Sequence, residues 1–308
     1  MTPLLETTGL FKYYQNYCAL EDVSISIPEG TIFGLLGPNG AGKTSLIRII
    51  TRITAPDKGK VFIAGREMTS NDINQIGYLP EERGLYKKMK VGDQLLYLSQ
   101  LKGLTEKEAK IKLTDWFVRF GIQDWWNKKV EDLSKGMAQK VQFIATVVHE
   151  PKLLILDEPF TGFDPINENL VKDEILRLKE MGSTIIFSTH RMESVEELCD
   201  HLALINKSKK VLDGSTKNLR SQYRTHTYRV SGTGSIPQLG DEFTVKENKQ
   251  NRDGLQELVV TIAPHANTNH FIMQLLPTFE IQHFEEVVPS IKDIFISIVG
   301  ETGDTDLK

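Results

Sequence analysis

The chain has 308 residues, 40% hydrophobic and 25% charged, which allows one large or two modest globular domains and argues against disorder. Lys and Arg number 37 against 41 Asp and Glu, and the formal net charge of −4 excludes bulk electrostatic attraction to nucleic acid. Cys18 and Cys199, the two cysteines, lack metal-ligand spacing and read as reduced thiols; no run approaches the ~20 apolar residues that span a bilayer.

The N-terminal MTPLLETTGLFKYY lacks the basic start and apolar core of a signal peptide. Residues 20–36 predict an outer strand (VSISI), a Pro-Glu-Gly turn and a second strand (TIFGLL) running into a glycine-rich loop. The helix expected after Lys43 carries Leu46, Ile49, Ile50 and Ile53 on one side. A strand VFIAG and a short strand IGYLP follow, then a helix-rich, amphipathic segment over 82–132 that holds all three tryptophans, Trp116, Trp125 and Trp126. Alternation resumes with the strand LLILDE, a helix near 167–181, the strand TIIFSTH, a helix near 192–199 and the strand HLALI, which argues a mainly parallel sheet with helices on both faces. After about residue 222 the pattern becomes antiparallel. THTYRVSG, FTVKEN and LQELVVTIA read as strands joined by polar turns such as 251–254, followed by a helix near 268–276, a strand near 280–288 and a closing helix, SIKDIFISIVG. About 85 residues suffice for a small α+β unit.

Three phosphate-handling features occur in order. Gly37-Pro38-Asn39-Gly40-Ala41-Gly42-Lys43-Thr44, followed by Ser45, stands between a strand and a helix, the context a phosphate-binding loop requires. Gly40 and Gly42 let the backbone curl so that N–H groups face phosphates, Lys43 brings a cation to the terminal phosphates, and the Thr44 hydroxyl can ligate Mg²⁺. Ser134 and Gly136 open a helical run (Val141, Ile144, Ala145, Val148), so an N-terminus offers N–H groups to an anion. Asp157 and Glu158 close a continuously apolar strand. Asp157, on the ligand side of a parallel sheet, fits the metal role; Glu158, expected to point to the opposite side, fits the general base for an attacking water.

The ordered set resembles the ATP-binding cassette (ABC) ATPases, the motor subunits of ABC transporters, over about residues 4–215. The resemblance implies a P-loop α/β domain over 1–222, with a mainly parallel sheet, an antiparallel β region and a helical subdomain near 82–132. A small α+β accessory domain over 223–308 follows. It implies that His190 is the switch histidine at the γ-phosphate, and that Tyr14, placed by spacing before the first strand and beside Tyr13, stacks on adenine. LSKGM departs from the commoner LSGGQ at Lys135 and Met137 but keeps Ser134 and Gly136, which in this family meet the nucleotide of the opposite subunit. Asp164 matches the aspartate of the loop crossing that dimer interface. Glu81 stands where most relatives carry glutamine, linking metal and attacking water to the helical subdomain, and its charge beside Asp157 and Glu158 should raise at least one carboxylate pKa.

LPEERGLYKKMKVGDQLLYL, LSKGMAQKVQFI and PSIKDIFISIVG are similar to an exporter branch that includes sodium-efflux and drug-resistance subunits. Such a chain binds ATP and Mg²⁺, works as a homodimer or heterodimer of ABC domains, and lies on the inner face of the cell membrane through a separate integral-membrane permease. Leu85, Tyr86, Met89 and Val91 then lie near the permease contact, unless they are ordinary core. The competing class is a soluble ABC ATPase of ribosomes or nucleic acid, but the chain has one cassette, no heptad tract and no basic arm. A regulator that does not hydrolyse ATP is a third reading, against which Glu158 argues.

Overall fold

The computed structural model describes residues 3–82, 84–250 and 254–301. The chain divides into two compact units, Met1–Thr216 and Lys217–Lys308. In the first unit, β1 (Pro3–Tyr14) and β2 (Tyr17–Pro28) form a long hairpin, and β3 (Ile32–Leu36) leads into the glycine loop and α1 (Lys43–Ile50). β4 (Lys58–Ile63), β5 (Arg66–Glu67) and β6 (Ile76–Leu79) follow, then α2 (Val91–Leu101), α3 (Glu106–Arg119) and α4 (Lys135–Val147). β7 (Leu153–Asp157), α5 (Pro165–Glu180), β8 (Thr184–Ser188), α6 (Met192–Leu198), β9 (His201–Asn206) and β10 (Lys209–Ser215) complete it.

Two sheets result. An antiparallel sheet runs β2-β1-β4-β5, and a six-stranded sheet runs β10-β9-β3-β8-β7-β6, parallel throughout except for β10. Every residue of β3, β7 and β8 is buried, the pattern of strands covered on both faces. One apolar core joins the sheets: Leu5, Leu20, Val23 and Ile27 of the hairpin cluster with Leu46, Ile47 and Ile50 of α1 and with Ile155, Ile186 and Ile205.

The predicted stripe of α1 holds for Leu46, Ile49 and Ile50 but not for Ile53, which is 61% exposed. The helix closes at Thr51 and Arg52 turns to φ 56°, so Ile53 leaves the helical face. β1 departs from expectation too. The bulge at Gly9 (φ 56°) and register shifts near Leu10 and Lys12 break the alternation by which a strand is recognised. Tyr14 therefore ends the first strand rather than preceding it.

The helical segment is held by aromatic packing: Trp116 lies 5.7 Å from Phe120 and 6.2 Å from Phe143, and Phe117 lies 5.4 Å from Trp126. Thr105 starts α3 with a reciprocal cap to Glu108. Val91 is fully buried and serves the core, so it drops out of any partner contact, whereas Tyr86 is exposed and Leu85 and Met89 are half-buried.

In the second unit, α7 (Thr216–Gln222) starts at the division, and β11 (Thr227–Gly234), β12 (Phe243–Gln250) and β13 (Gln256–Ile262) follow. Next come α8 (Thr268–Leu275), β14 (Phe279–Glu286) and α9 (Ile291–Glu301). The sheet is antiparallel in the order β12-β13-β11-β14, and Val230, Phe243, Leu258, Val260, Phe271, Leu275 and Phe279 share one core. The expected turn at 251–254 lies, but for Gly254, outside the described residues.

Candidate functional site

The ligand side of the parallel sheet is built by the carboxyl ends of β3, β7 and β8. After β3 the chain turns through Gly37 at φ 147°, where a Cβ would run into the Ile205 carbonyl oxygen, and through Gly42 at φ 117°, where a Cβ would run into that of Ala19. Side chains are thus excluded from both corners of the loop. Gly42 is also the N-cap of α1, and no side chain caps that helix end, so its first N–H groups are left for an anion.

A cleft of about 390 Å³ opens over this loop. It is lined by Asn39, Gly40, Gly42, Lys43, Thr44 and Ser45 of the loop and α1, by Glu81, Asp157, Glu158 and His190, and by Tyr14, Tyr17 and Ala19 of the hairpin. Gly37, Pro38 and Ala41 shape the loop without lining the cleft. Lys43 is 8% exposed and donates to the carbonyls of Gly37 at 2.6 Å and Pro38 at 3.0 Å. Burial pulls its pKa down, against the pull of Glu158, Asp157 and Glu81. Its ammonium is therefore held where negative charge converges.

Asp157 is 4% exposed at the end of β7, and burial pushes its carboxyl up, with Glu81 and Glu158 adding to the shift and Lys43 opposing it. The sequence argued like-charge repulsion; burial proves the larger cause. Glu158 does not point to the opposite side. It sits just beyond the strand at φ 50°, so strand alternation no longer governs it, and its carboxylate lines the same cleft as Asp157. There it accepts from the backbone N–H of His190 at 2.8 Å and from Thr189 Oγ1 at 3.1 Å, and it meets His190 Nδ1 at 2.7 Å. His190 lies two residues past the end of β8, with its side chain 61% exposed.

Ser134 and Gly136 do not line the cleft. Ser134 is the N-cap of α4 and accepts from the Met137 N–H at 3.3 Å, while Asp164 caps α5 by accepting from the Asn167 N–H at 2.9 Å. Tyr17 was missed. It faces Tyr14 across the two-residue turn of the β1–β2 hairpin and donates its hydroxyl to the Gly40 carbonyl at 2.8 Å. Tyrosines flanking a short polar turn were the available signal. Thr189 was missed because its neighbour His190 carried the motif.

The donor set suits a nucleotide with a divalent cation. Among the described residues, no three His, Cys, Asp or Glu side chains converge closely enough to hold a metal alone. A hard cation bound by one or two carboxylates, the Thr44 hydroxyl and phosphate oxygens meets that limit.

Comparison with known proteins agrees with this geometry. A family model described as ABC transporter matches residues 20–161, and one described as ATP-binding protein DrrA1-3-like, C-terminal domain, matches residues 214–299. The chain is similar to the ABC transporter ATP-binding protein YhaQ of Bacillus subtilis (strain 168), with 43% identity over 96% of this chain and 99% of the relative. It is also similar to the linearmycin resistance ATP-binding protein LnrL of the same organism, with 30% identity over 97% and 99%. Among solved structures, an ATP-binding subunit of an ABC transporter superposes with a TM-score of 0.67 at 30% identity, over 71% of this chain and 93% of that one.

Proposed function

The chain belongs to the ATP-binding proteins of ABC transporters, a family that hydrolyses ATP to power transport, and from that premise we propose that it drives export through a separate membrane permease. The observation that carries the site reading is the meeting, in one cleft, of a phosphate-binding loop with Glu81, Asp157, Glu158 and His190. In this reading Lys43 and the N-terminus of α1 bind the phosphates, and Thr44 and Asp157, with Glu81, hold Mg²⁺. That ion would neutralise phosphate charge at the point of transfer. Glu158 takes the proton of the attacking water, His190 contacts the γ-phosphate, and Tyr14 stacks on adenine.

Ser134 and Gly136 lie away from their own chain's cleft, which supports a composite site. Two chains close on two nucleotides, each α4 offering its N-terminus to its partner's phosphates. Among the described residues no helix is long and apolar enough to cross a membrane, so a permease would supply the pathway and hold this chain at the cytoplasmic face. Leu85, Tyr86 and Met89, at the edge of the helical segment, offer it apolar surface. The name of LnrL, a resistance protein similar over nearly the whole chain, favours export.

The test is ATP titration by calorimetry together with phosphate release. Lys43→Ala should lose about 10²-fold or more in ATP affinity, because its charge-assisted phosphate contacts vanish. Unchanged affinity would remove the loop from the binding role.

A further inference from the structure

We propose that Thr189 is a positioning residue for hydrolysis: its hydroxyl holds the Glu158 carboxylate in place independently of the His190 ring. The inference rests on the reading of Glu158 as general base and adds to it the group that aims it.

Thr189 lies just past β8, 1% exposed. Its Oγ1 accepts from the Arg191 N–H at 3.1 Å and donates to Glu158 Oε2 at 3.1 Å. A hydroxyl has one hydrogen to give, so with the Arg191 N–H on a lone pair the hydrogen goes to the carboxylate. The other oxygen, Oε1, is served wholly by His190, through its backbone N–H at 2.8 Å and its Nδ1 at 2.7 Å. The two sides differ in freedom. The His190 side chain is 61% exposed and can swing away at little cost. Thr189 is itself buried, and it cannot turn without giving up its part-buried bond from the Arg191 N–H.

When the His190 ring engages a phosphate, Oε1 keeps the backbone N–H and Oε2 keeps Thr189, so the carboxylate stays fixed at both oxygens. The strands enforce the alignment, because Asp157 pairs with Ser188 across β7 and β8, and the Glu158 N–H donates to the Ser188 carbonyl at 2.9 Å. A general base must lie within hydrogen-bond reach of the proton it takes, and an error of about 1 Å can cost roughly 10²-fold.

The experiment compares the parent with Thr189→Val, Thr189→Ser, Glu158→Ala and the Thr189→Val/Glu158→Ala double variant, reading kcat, ATP Kd and melting temperature. Valine keeps the volume and removes the hydroxyl, so kcat should fall about tenfold, the order set by one hydrogen bond to a charged group. ATP Kd should stay within about twofold of the parent, since the bond serves the reacting geometry and not uniform binding. Thr189→Ser should recover most of the rate, and should Thr189→Val fail to fold, Thr189→Ala takes its place. In the Glu158→Ala background the valine should leave ATP Kd unchanged, because no carboxylate remains to be held. A parental rate in Thr189→Val, a serine variant as slow as the valine, or weakened ATP binding in the double variant relative to Glu158→Ala would overturn the proposal. If Glu158→Ala itself turned over normally, the base assignment would fall first. A slow Glu158→Ala beside a normal Thr189→Val would sink the role of Thr189 alone.

Discussion

Glu158→Gln separates chemistry from binding because the site can keep its hydrogen bonds while losing its base. The Gln side-chain oxygen can still accept from the His190 N–H, now 2.8 Å from Oε1, and Thr189 Oγ1 can reverse its role toward the amide. The fold should therefore lose no more than about 1 kcal/mol, the ordinary worth of one hydrogen bond. Removing the charge also takes away one of the influences that push the Asp157 carboxyl up, so nucleotide affinity should hold or improve. Basicity alone is lost, and a positioned general base is worth about 10²–10⁴ in rate. Phosphate release should fall by that factor while calorimetric ATP affinity stays within about threefold, a difference below 1 kcal/mol. Light scattering with Mg-ATP should then find twice the mass of the 34.9 kDa chain, because a closed dimer can no longer exit by hydrolysis. Unchanged turnover would refute the assignment, and loss of turnover together with ATP binding would refute the separation of roles.

Glu81→Gln restores the commoner residue and removes one negative charge from the cleft, so ATP affinity measured in EDTA should rise about two- to fivefold. With saturating Mg²⁺ the gain should shrink, and equal affinities in EDTA would mean that Glu81 points away from the phosphates. His149 gives a pH signature: burial, with Lys102 adding to it, pushes its pKa down from 6.5 to about 4. The folded chain thus binds fewer protons than the unfolded one, so stability falls as pH drops below 6.5 and levels off near 4, by up to about 1.4 kcal/mol per pH unit. In urea titrations from pH 7 to 4, His149→Gln should lose less stability than the parent; parallel curves would contradict the burial argument.

What the sequence revealed and what it hid follow from how local each cause is. The loop, Asp157 and the helix at Ser134 were legible because each needs only a short run of residues beside a strand or helix of strong periodicity. The orientation of Glu158 was not, since it depends on one residue at φ 50° just after a regular strand. β1 hid behind the bulge at Gly9, and with it went the place of Tyr14 and the part played by Tyr17. Val91 stands in the same helical segment as Leu85, Tyr86 and Met89, so the sequence groups it with them; only the fold places it in the core. The bond from Thr189 to Glu158 joins residues 31 apart in sequence through strand pairing, which no spacing rule records.

If two chains complete each other's catalytic clefts, mixing inactive subunits should restore activity. Ser134→Arg should be inactive because it blocks the offered helix end, and Lys43→Ala because its own loop no longer binds phosphate. In a mixed dimer one site carries both lesions and the other neither, so equal mixtures should recover part of the parental phosphate release. No recovery at any ratio, with mixed dimers demonstrated by differential tagging, would contradict that arrangement.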